Sequence, residues 1–182
     1  MTETATPVER PSPAAALERT FAAVRRERMR DVPLLNPALD VESVGFRPWR
    51  DHWLGVVVTP WFMNLVLMPR VSAAWQPLAE RDSRHYVFPG GVFEFFGARE
   101  AALGDYQVCS LFSPMFEFSD QREARATALA ALEALFDPSS RESAQVAAAP
   151  AAGTASAASV DAVPVPSKRD FLLGTTRGDR GP

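Results

Sequence analysis

The sequence predicts an α+β fold: one domain with a mostly antiparallel sheet of about five strands, flanked by an N-terminal and a C-terminal helix and followed by a disordered tail. Three observations indicate this class. Apolar residues recur at helical spacing near the N-terminus, β-rich runs fill residues 41–112, and an alanine-rich helical pattern follows residue 120. The Ala, Ser, Pro and Val stretch that comes next has too little large apolar surface to fold.

The first helix is expected to begin near Ser12-Pro13, because serine caps helices well and proline at the first helical position loses no hydrogen bond. Its apolar stripe consists of Leu17, Phe21 and Val24. Four arginines crowd the last turns, where cations suit the helix dipole: Arg25, Arg26, Arg28 and Arg30. Asp31-Val32-Pro33 should end the helix.

The middle of the chain has strand character. Residues 52–59 and 62–68 are apolar on both faces, so we expect central strands that are covered on each side. A hairpin should follow, with residues 85–88 and 92–96 around the Pro89-Gly90-Gly91 turn. Its second strand should place Phe93 and Phe95 on one face and Glu94 on the other. The last strand, 105–112, should alternate Tyr106, Val108, Ser110 and Phe112 against Gln107, Cys109 and Leu111.

The second helix should start after Ser119-Asp120. Asp120 and Glu123 form a capping-box-like pair, in which one carboxylate accepts from exposed N–H groups and the other reaches back. The buried stripe is expected to be Ala124, Ala128, Leu132 and Leu135. Asp137-Pro138 should end the helix.

We therefore divide the chain into four parts. These are a flexible N-terminus (1–11), a folded domain (12–137), an Ala/Ser/Pro-rich linker (138–166) and a basic-aromatic tail (167–182). Charge is distributed unevenly among them. Residues 31–137 contain eight Arg against fourteen Asp and Glu, a net −6, whereas the whole chain carries −3. Residues 31–137, which follow the arginine-rich first helix, are therefore the acidic part of the chain.

Composition excludes several classes of function. The single Cys109 excludes a disulfide framework, and it fits no metal-ligand spacing with His52 and His85. No apolar run is long enough to cross a membrane, no secretory signal is visible, and no basic stripe points to nucleic acid. We expect an intracellular protein with no metal and no cofactor. A Cys109 thiolate paired with a histidine would be the catalytic alternative, although a cysteine inside an apolar strand is usually a packing residue.

Four strings are too particular to follow from patterning alone. They are Pro33-Leu-Leu-Asn-Pro-Ala-Leu-Asp40, Trp53-Leu-Gly-Val-Val-Val-Thr-Pro-Trp-Phe-Met-Asn-Leu65, Phe88-Pro-Gly-Gly91 and Cys109-Ser-Leu-Phe-Ser-Pro-Met-Phe-Glu-Phe118. In this order and spacing they closely resemble the HybE-type [NiFe]-hydrogenase assembly chaperones. The resemblance covers about residues 15–137, which is essentially the whole folded part.

This resemblance implies a non-catalytic, cytoplasmic chaperone of [NiFe]-hydrogenase maturation that binds precursor subunits before assembly and export. It favours the small subunit, which carries a twin-arginine export signal, as the partner. Some relatives are joined to a rubredoxin domain, but this chain lacks the rubredoxin cysteine motif, so no iron role is implied. The alternatives are a Cys109-dependent redox or cluster-protection factor and, third, a structural subunit of the finished hydrogenase. An exposed strand edge could also support a homodimer.

A twin-arginine signal presents two arginines, then Phe-Leu, then an apolar segment, so its receptor should be acidic around an apolar groove. Aromatic and methionine side chains suit adaptable peptide binding, and Glu94 and Glu117 lie among aromatics. The candidate precursor-binding residues are Trp61, Phe62, Met63, Asn64, Glu94, Phe112, Ser113, Pro114, Met115, Phe116 and Glu117. Each aromatic residue could instead belong to the core, which is the commoner fate, and Glu94 could be a solvated residue of an edge hairpin.

The tail contains Ser167-Lys-Arg-Asp-Phe-Leu-Leu173, which resembles the twin-arginine consensus with Lys in place of the first Arg. No apolar run follows it, so it is not itself an export signal. We hypothesise that Lys168, Arg169, Phe171 and Leu172 form a pseudo-signal that occupies the chaperone's own groove until a precursor displaces it. A coil of the linker's length spans about 30 Å, which is enough reach. The alternatives are a tail that docks on the acidic domain for stability, or a disordered one.

Overall fold

The computed structural model of the chain describes residues 9–140. Two helices and six strands form the domain. In chain order they are α1 (Ala14–Glu27), β1 (Glu42–Trp49), β2 (His52–Val58), β3 (Met63–Pro69), β4 (Ser83–Phe88), β5 (Gly91–Glu100), β6 (Gly104–Phe112) and α2 (Gln121–Phe136), with a short 3₁₀ turn at Ser72–Ala74. The expectations for residues 1–8 and 141–182, including the tail, lie outside this range.

The six strands form one sheet in the order β1-β2-β3-β6-β5-β4, and every neighbouring pair is antiparallel. The predicted α+β class with flanking helices is therefore confirmed, with six strands instead of about five. Strand β1 carries no separate signal in the sequence, because its alternation is interrupted. Gly45 has a left-handed φ of +63°, and the pairing with β2 shifts register between Val44 and Arg47.

A helix covers each face of the sheet. α2 packs on the larger core cluster, which includes Leu54 and Val56 of β2 and Leu65 and Leu67 of β3. α1 packs on the opposite face, where Leu17 and Phe21 meet a second cluster with Val57, Val66 and Met68. The prediction that β2 and β3 are central strands covered on both sides is confirmed. Phe93 and Phe95 share the α2 face, as expected.

The predicted alternation of β6 is wrong at its end. Tyr106 and Val108 lie on the α1 face, but Phe112 packs in the α2-side cluster together with Leu111. The physical reason is a register shift in the pairing of β3 with β6, between Met63 and Asn64. Because of this irregularity, the consecutive side chains of Leu111 and Phe112 both pack into the α2-side core.

The first helix is shorter than the sequence predicted. Pro13 occupies the N-cap position and Ser12 Oγ lies 3.5 Å from the Ala14 amide, so the serine cap is weak. At the other end, the amides of Arg28 and Met29 both donate to the Val24 carbonyl, which closes the helix before Arg30. The Arg28 side chain pairs with Glu100 of β5.

The second helix follows its prediction closely. Asp120 accepts a hydrogen bond from the Glu123 amide at 2.8 Å, and the Glu123 carboxylate accepts from the Ser119 amide at 2.8 Å. All four predicted stripe residues are buried: Ala124, Ala128, Leu132 and Leu135. Its last turn rests on the β4–β5 turn, where the Gly90 amide donates to the Leu135 carbonyl at 2.8 Å. A Cβ at Gly90 would lie 2.0 Å from the Ala134 carbonyl oxygen, so this close approach requires glycine.

The two edge strands of the sheet meet across the core. The ring of Trp49, at the end of β1, stacks on Phe88 at the end of β4, with a centroid separation of 4.4 Å and an interplanar angle of 18°. Trp49 also meets Tyr86 edge-on at 5.7 Å. Because β1 and β4 lie at opposite ends of the strand order, this contact requires a strongly curved sheet. Neither helix within residues 9–140 has the length and hydropathy that a bilayer crossing requires.

His52 makes the domain sensitive to acid. It sits among aromatic rings, with Trp75 at 5.5 Å and Tyr86 at 6.1 Å, and burial lowers its pKa below the ordinary 6.5. The unfolded chain therefore binds this proton more readily than the folded chain does. The contribution of neutral His52 to stability is complete above pH 6.5 and is lost as the pH falls below that value.

We predict that His52→Asn flattens the pH dependence of unfolding. Between about pH 7 and pH 5.5, the urea midpoint of the parent should fall more than that of the variant, because only the parent has this histidine to protonate on unfolding. His85→Asn is the matched control, since His85 is exposed on β4. If the urea midpoints of the parent and of His52→Asn fell by equal amounts over this pH range, the assignment to His52 would be wrong.

Candidate functional site

The buried amide of Asn36 joins three loops at one end of the sheet. Its Nδ2 donates to the carbonyl oxygens of Met115 at 3.0 Å and Phe118 at 2.8 Å, both in the β6–α2 loop. Its backbone amide donates to the Pro60 carbonyl at 2.8 Å, in the β2–β3 loop. Its Oδ1 accepts from the Ala38 amide at 3.0 Å. Every polar group of this side chain is thus satisfied, as a buried amide requires.

Thr59 fixes the shape of the β2–β3 loop. Its hydroxyl oxygen accepts from the amides of Trp61 at 3.2 Å and Phe62 at 2.9 Å. The Thr59 amide donates to the Phe62 carbonyl at 2.8 Å. Ser113 then links this loop to the end of β6, because its hydroxyl donates to the Trp61 carbonyl at 3.3 Å. Three of the four strings that carry the family resemblance therefore meet here.

Large apolar side chains project from these joined loops. Leu34, two residues before Asn36, is 52% exposed, and Phe116, which follows the clamped Met115, is 56% exposed. Trp61 is half-buried, and Pro114 and Glu117 are exposed. We call these five residues the loop surface. An exposed leucine and phenylalanine on well-fixed loops are typical of an interaction site.

The structure separates the sequence-predicted site residues into three groups. Met63, Phe112 and Met115 are buried in the core and anchor the loops from below. Trp61, Ser113, Pro114, Phe116 and Glu117 lie together in the loops. Asn64 and Glu94 belong to the sheet itself, on the face that carries α1. Phe62 lies at the border of that face, where its ring meets Phe21 edge-on at 5.4 Å.

Neither helix within residues 9–140 covers the part of the α1-side face that β4 and β5 form. On β4 and β5, Val87 pairs with Val92, and both are exposed, at 58% and 50%. Phe96, four residues along β5, is 38% exposed. Between these apolar side chains, His85 lies opposite Glu94, which accepts a hydrogen bond from Ser83 at 2.6 Å. We call this region, residues 83, 85, 87, 92, 94 and 96, the open face.

Sequence reasoning missed Leu34, Val87 and Val92 as candidate contact residues. The valines carried a signal, because their positions alternate with those of Tyr86, Phe88 and Phe93, which are core residues or pack on the core. Leu34 carried none, since only the fold shows that its loop is clamped while its side chain faces outward. Glu94 points outward from the β4–β5 hairpin, where it is partly buried and bonded to Ser83.

Cys109 is completely buried in the α2-side core. It lies on β6 opposite Leu65 of β3, which places the thiol among apolar side chains. His52 lies opposite Pro69 at the other end of β3, and His85 is exposed on β4. Within residues 9–140, no cluster of His, Cys, Asp and Glu has the arrangement of a metal site.

The chain is similar to proteins of hydrogenase formation. A family model described as "[NiFe]-hydrogenase assembly, chaperone, HybE" matches residues 12–174. The hydrogenase expression/formation protein HupJ of Bradyrhizobium diazoefficiens is 40% identical over 162 residues, which cover 89% of this chain and 88% of that protein. The probable rubredoxin HupJ of Rhodobacter capsulatus is 39% identical over 127 residues, or 70% of this chain; the match spans only 46% of that relative.

The fold also has a counterpart among solved structures. The solution structure of HybE from Escherichia coli aligns with a TM-score of 0.59, covering 74% of this chain and 83% of that one. The sequence identity is 24%, so this likeness bears on the fold alone.

We predict that Asn36→Asp destabilises the domain by about 2–4 kcal/mol, because the variant loses two donors and sets a carboxylate against two buried carbonyl oxygens. Urea unfolding measures the change, and hydrogen exchange of the Phe62 and Leu39 amides should accelerate with it. Ser113→Ala, which removes one longer bond at an exposed residue, should stay within about 0.5 kcal/mol of the parent. Equal stability of Asn36→Asp and the parent would show that the loops are held by something else.

Proposed function

The chain belongs to the HybE family of [NiFe]-hydrogenase assembly chaperones, and from this membership we propose that it binds hydrogenase precursor subunits in the cytoplasm, before they assemble. The direct target in this proposal is the twin-arginine signal of the small subunit. The supporting observation is the loop surface, on which Leu34 and Phe116 stand exposed on loops that Asn36 holds in place. A fixed apolar platform reduces the ordering cost of binding an extended peptide.

The energetics favour the apolar contacts as the source of affinity. Burying one Phe or Leu side chain contributes about 1.5–3 kcal/mol. An exposed pair between arginine and a carboxylate contributes only about 0–1 kcal/mol. The Phe-Leu part of a signal would therefore set the affinity on Leu34 and Phe116. Glu117 and the net −6 of residues 31–137 would steer the arginine pair toward the surface.

A cavity elsewhere on the domain is unsuited to a twin-arginine signal. A cavity of about 550 Å³ lies between the end of α1 and the following loop, and three arginines line it together with Asp40: Arg25, Arg26 and Arg30. Arg25 already pairs with Asp40 at 2.6 Å. The remaining positive charge would repel an arginine pair, since like charges brought together are destabilising. Charge therefore favours the loop surface over this cavity.

We predict that Phe116→Asp combined with Leu34→Asp weakens binding of a synthetic small-subunit signal peptide by about ten- to a hundredfold. Titration calorimetry with the full chain measures the dissociation constant. Leu129→Asp is the matched control, because Leu129 is 42% exposed on α2, outside the loop surface. The affinity of this variant for the signal peptide should stay within about twofold of the parent's. Glu117→Gln should mainly slow association, with a salt dependence weaker than that of the parent.

Two results would contradict the proposal. Equal losses in the loop variant and in Leu129→Asp would indicate that the acidic substitutions act through general repulsion or misfolding. If the parent chain binds the precursor large subunit but not the signal peptide, the small subunit is not the direct target, although the chaperone role stands.

We further propose that this activity needs no chemistry at Cys109. The thiol lies in the core between β3 and β6, where burial suits a small apolar residue. Cys109→Ala should keep precursor binding and hydrogenase maturation in cells at the parent level, provided that its urea midpoint shows a folded chain. Loss of maturation by a stably folded Cys109→Ala variant that still binds the precursor would favour the redox or cluster-protection alternative.

A further inference from the structure

The open face leaves apolar side chains uncovered on a sheet whose other parts are covered. α1 packs over β2 and β3, and α2 fills the opposite face, but Val87, Val92 and Phe96 project from β4 and β5 with 38–58% of their surface exposed. β4 is also an edge strand, so one row of its backbone groups has no partner strand within the described sheet. A natural domain usually covers such an edge with another segment or a partner.

From this geometry we infer that the open face is the docking site of residues 167–174 of the same chain. The segment Ser167-Lys-Arg-Asp-Phe-Leu-Leu-Gly174 would lie in an extended conformation against the outward side chains of β4 and β5. This assigns the face an occupant within the molecule. It stands in place of the pseudo-signal hypothesis, which puts this segment in the groove that binds the precursor. It does not depend on the proposed function, because the loop surface is built from other residues.

The path of the chain brings the segment to this face. α2 ends at Phe136, and its last turn is bonded to Gly90 in the β4–β5 turn. Val87 and Val92 are the next outward residues on either side of that turn. The chain that continues beyond Ser140 therefore starts on the α2 side of the sheet, next to the β4–β5 turn, and reaches the open face by passing around that turn.

The connecting length is sufficient. Twenty-six residues separate Ser140 from Ser167. A coil of that length has a root-mean-square span of about 26–31 Å, whereas strands β4 to β6 extend over only about 10 Å across the sheet. Such a tether holds its end at an effective concentration in the millimolar range, so even weak contacts would keep the segment bound.

The side-chain pattern of the segment complements that of the face. In an extended chain Arg169, Phe171 and Leu173 point to the same side, about 6–7 Å apart. On β5, Glu94 lies two residues from Val92 and two from Phe96, the same separation that divides Arg169 from Phe171. If the Arg169 guanidinium pairs with Glu94, the Phe171 ring therefore lies on Val92 or on Phe96. Asn64 at the border offers a buried Oδ1 that accepts no hydrogen bond from residues 9–140.

The extent of the family match agrees with this assignment. The family model continues past the end of α2 and matches through residue 174, which closes the segment. The matched stretch therefore includes residues 167–174 together with the sheet. An occupant from the chain itself is favoured over a second copy, because two open faces would bring Glu94 of each copy toward the other.

A spin label on the segment tests the inference in the full chain. Ser167→Cys can be labelled selectively, because Cys109, the single natural cysteine, is completely buried. We expect the amide signals of Val87, Val92 and Phe96 to lose about half or more of their intensity, given the effective concentration of the tether. The amides of Leu34 and Phe116 should be broadened much less. Phe171→Asp with Leu173→Asp in the labelled chain should restore the signals of the open face.

Reciprocal variants control the experiment. Val92→Asp should release the segment, and Leu129→Asp, an exposed leucine on α2, should leave the broadening unchanged. In both variants the free energy of unfolding, measured with urea, should stay within about 0.5 kcal/mol of the parent's, as it does for exposed substitutions. Mixing a labelled chain with an unlabelled, isotope-enriched one should give no broadening at low concentration.

Three outcomes would overturn the inference. Broadening centred on Leu34 and Phe116 would place the segment at the loop surface, and uniform weak broadening would mean that it does not dock. Broadening between mixed chains would show an occupant from a second copy. In the first outcome the segment would compete with a signal peptide for the loop surface; the other two leave the affinity of that surface unchanged. The peptide titration with the loop variants tests the proposed function in every case, so the two failures are distinguishable.

Discussion

The joined loops depend on one buried amide. Asn36 is 6% exposed, and its NH₂ group donates to two carbonyl oxygens of the β6–α2 loop. The Met115 carbonyl also accepts from the Phe118 amide at 3.3 Å. A buried carbonyl without a donor costs about 1–3 kcal/mol, so the Asn36 side chain stabilises the packing of this loop. Its own backbone amide holds the β2–β3 loop through Pro60. Three segments that are far apart in sequence thereby acquire one conformation.

This constraint changes how the family strings are understood. Asn36, Thr59, Met63 and Met115 all stand in those strings, and all four are buried, where they shape or anchor the loops. The residues that can touch a partner are their neighbours, Leu34, Trp61 and Phe116. A motif that is highly specific to a family can therefore identify the framework of a site, while the contacts come from the exposed positions between its members. That is why single-residue roles could not be assigned from the strings alone.

Periodicity and caps predicted most of the fold because they report local physics. The Asp120–Glu123 cap, the α2 stripe and the Pro89-Gly90-Gly91 turn all appear where the sequence places them. The failures arise where tertiary structure overrides the local pattern. The pairing irregularities at Val44/Arg47 and Met63/Asn64 depend on the partner strand, which no local window contains. Exposure is equally non-local: Met115 and Phe116 are neighbours of similar hydrophobicity, yet one is in the core and the other faces outward.

The curvature of the sheet connects the two candidate surfaces. Trp49 draws β4 toward β1 by stacking on Phe88, and the same turn of β4 receives the end of α2 at Gly90. Strand β4 and the adjoining part of β5 thus bend toward α2, away from α1, which is bonded to β1 through Ser43 and packs on β2 and β3. Their outward side chains stay uncovered for this reason. The pairing of Asn64 with Ser110 lies between that uncovered region and the loops, so the ends of β3 and β6 separate the two surfaces. The domain can therefore present two apolar surfaces without interrupting its core. The curvature of the sheet keeps the side chains of the open face out of the core, and the hydrogen bonds of Asn36 hold the loops so that Leu34 and Phe116 face outward.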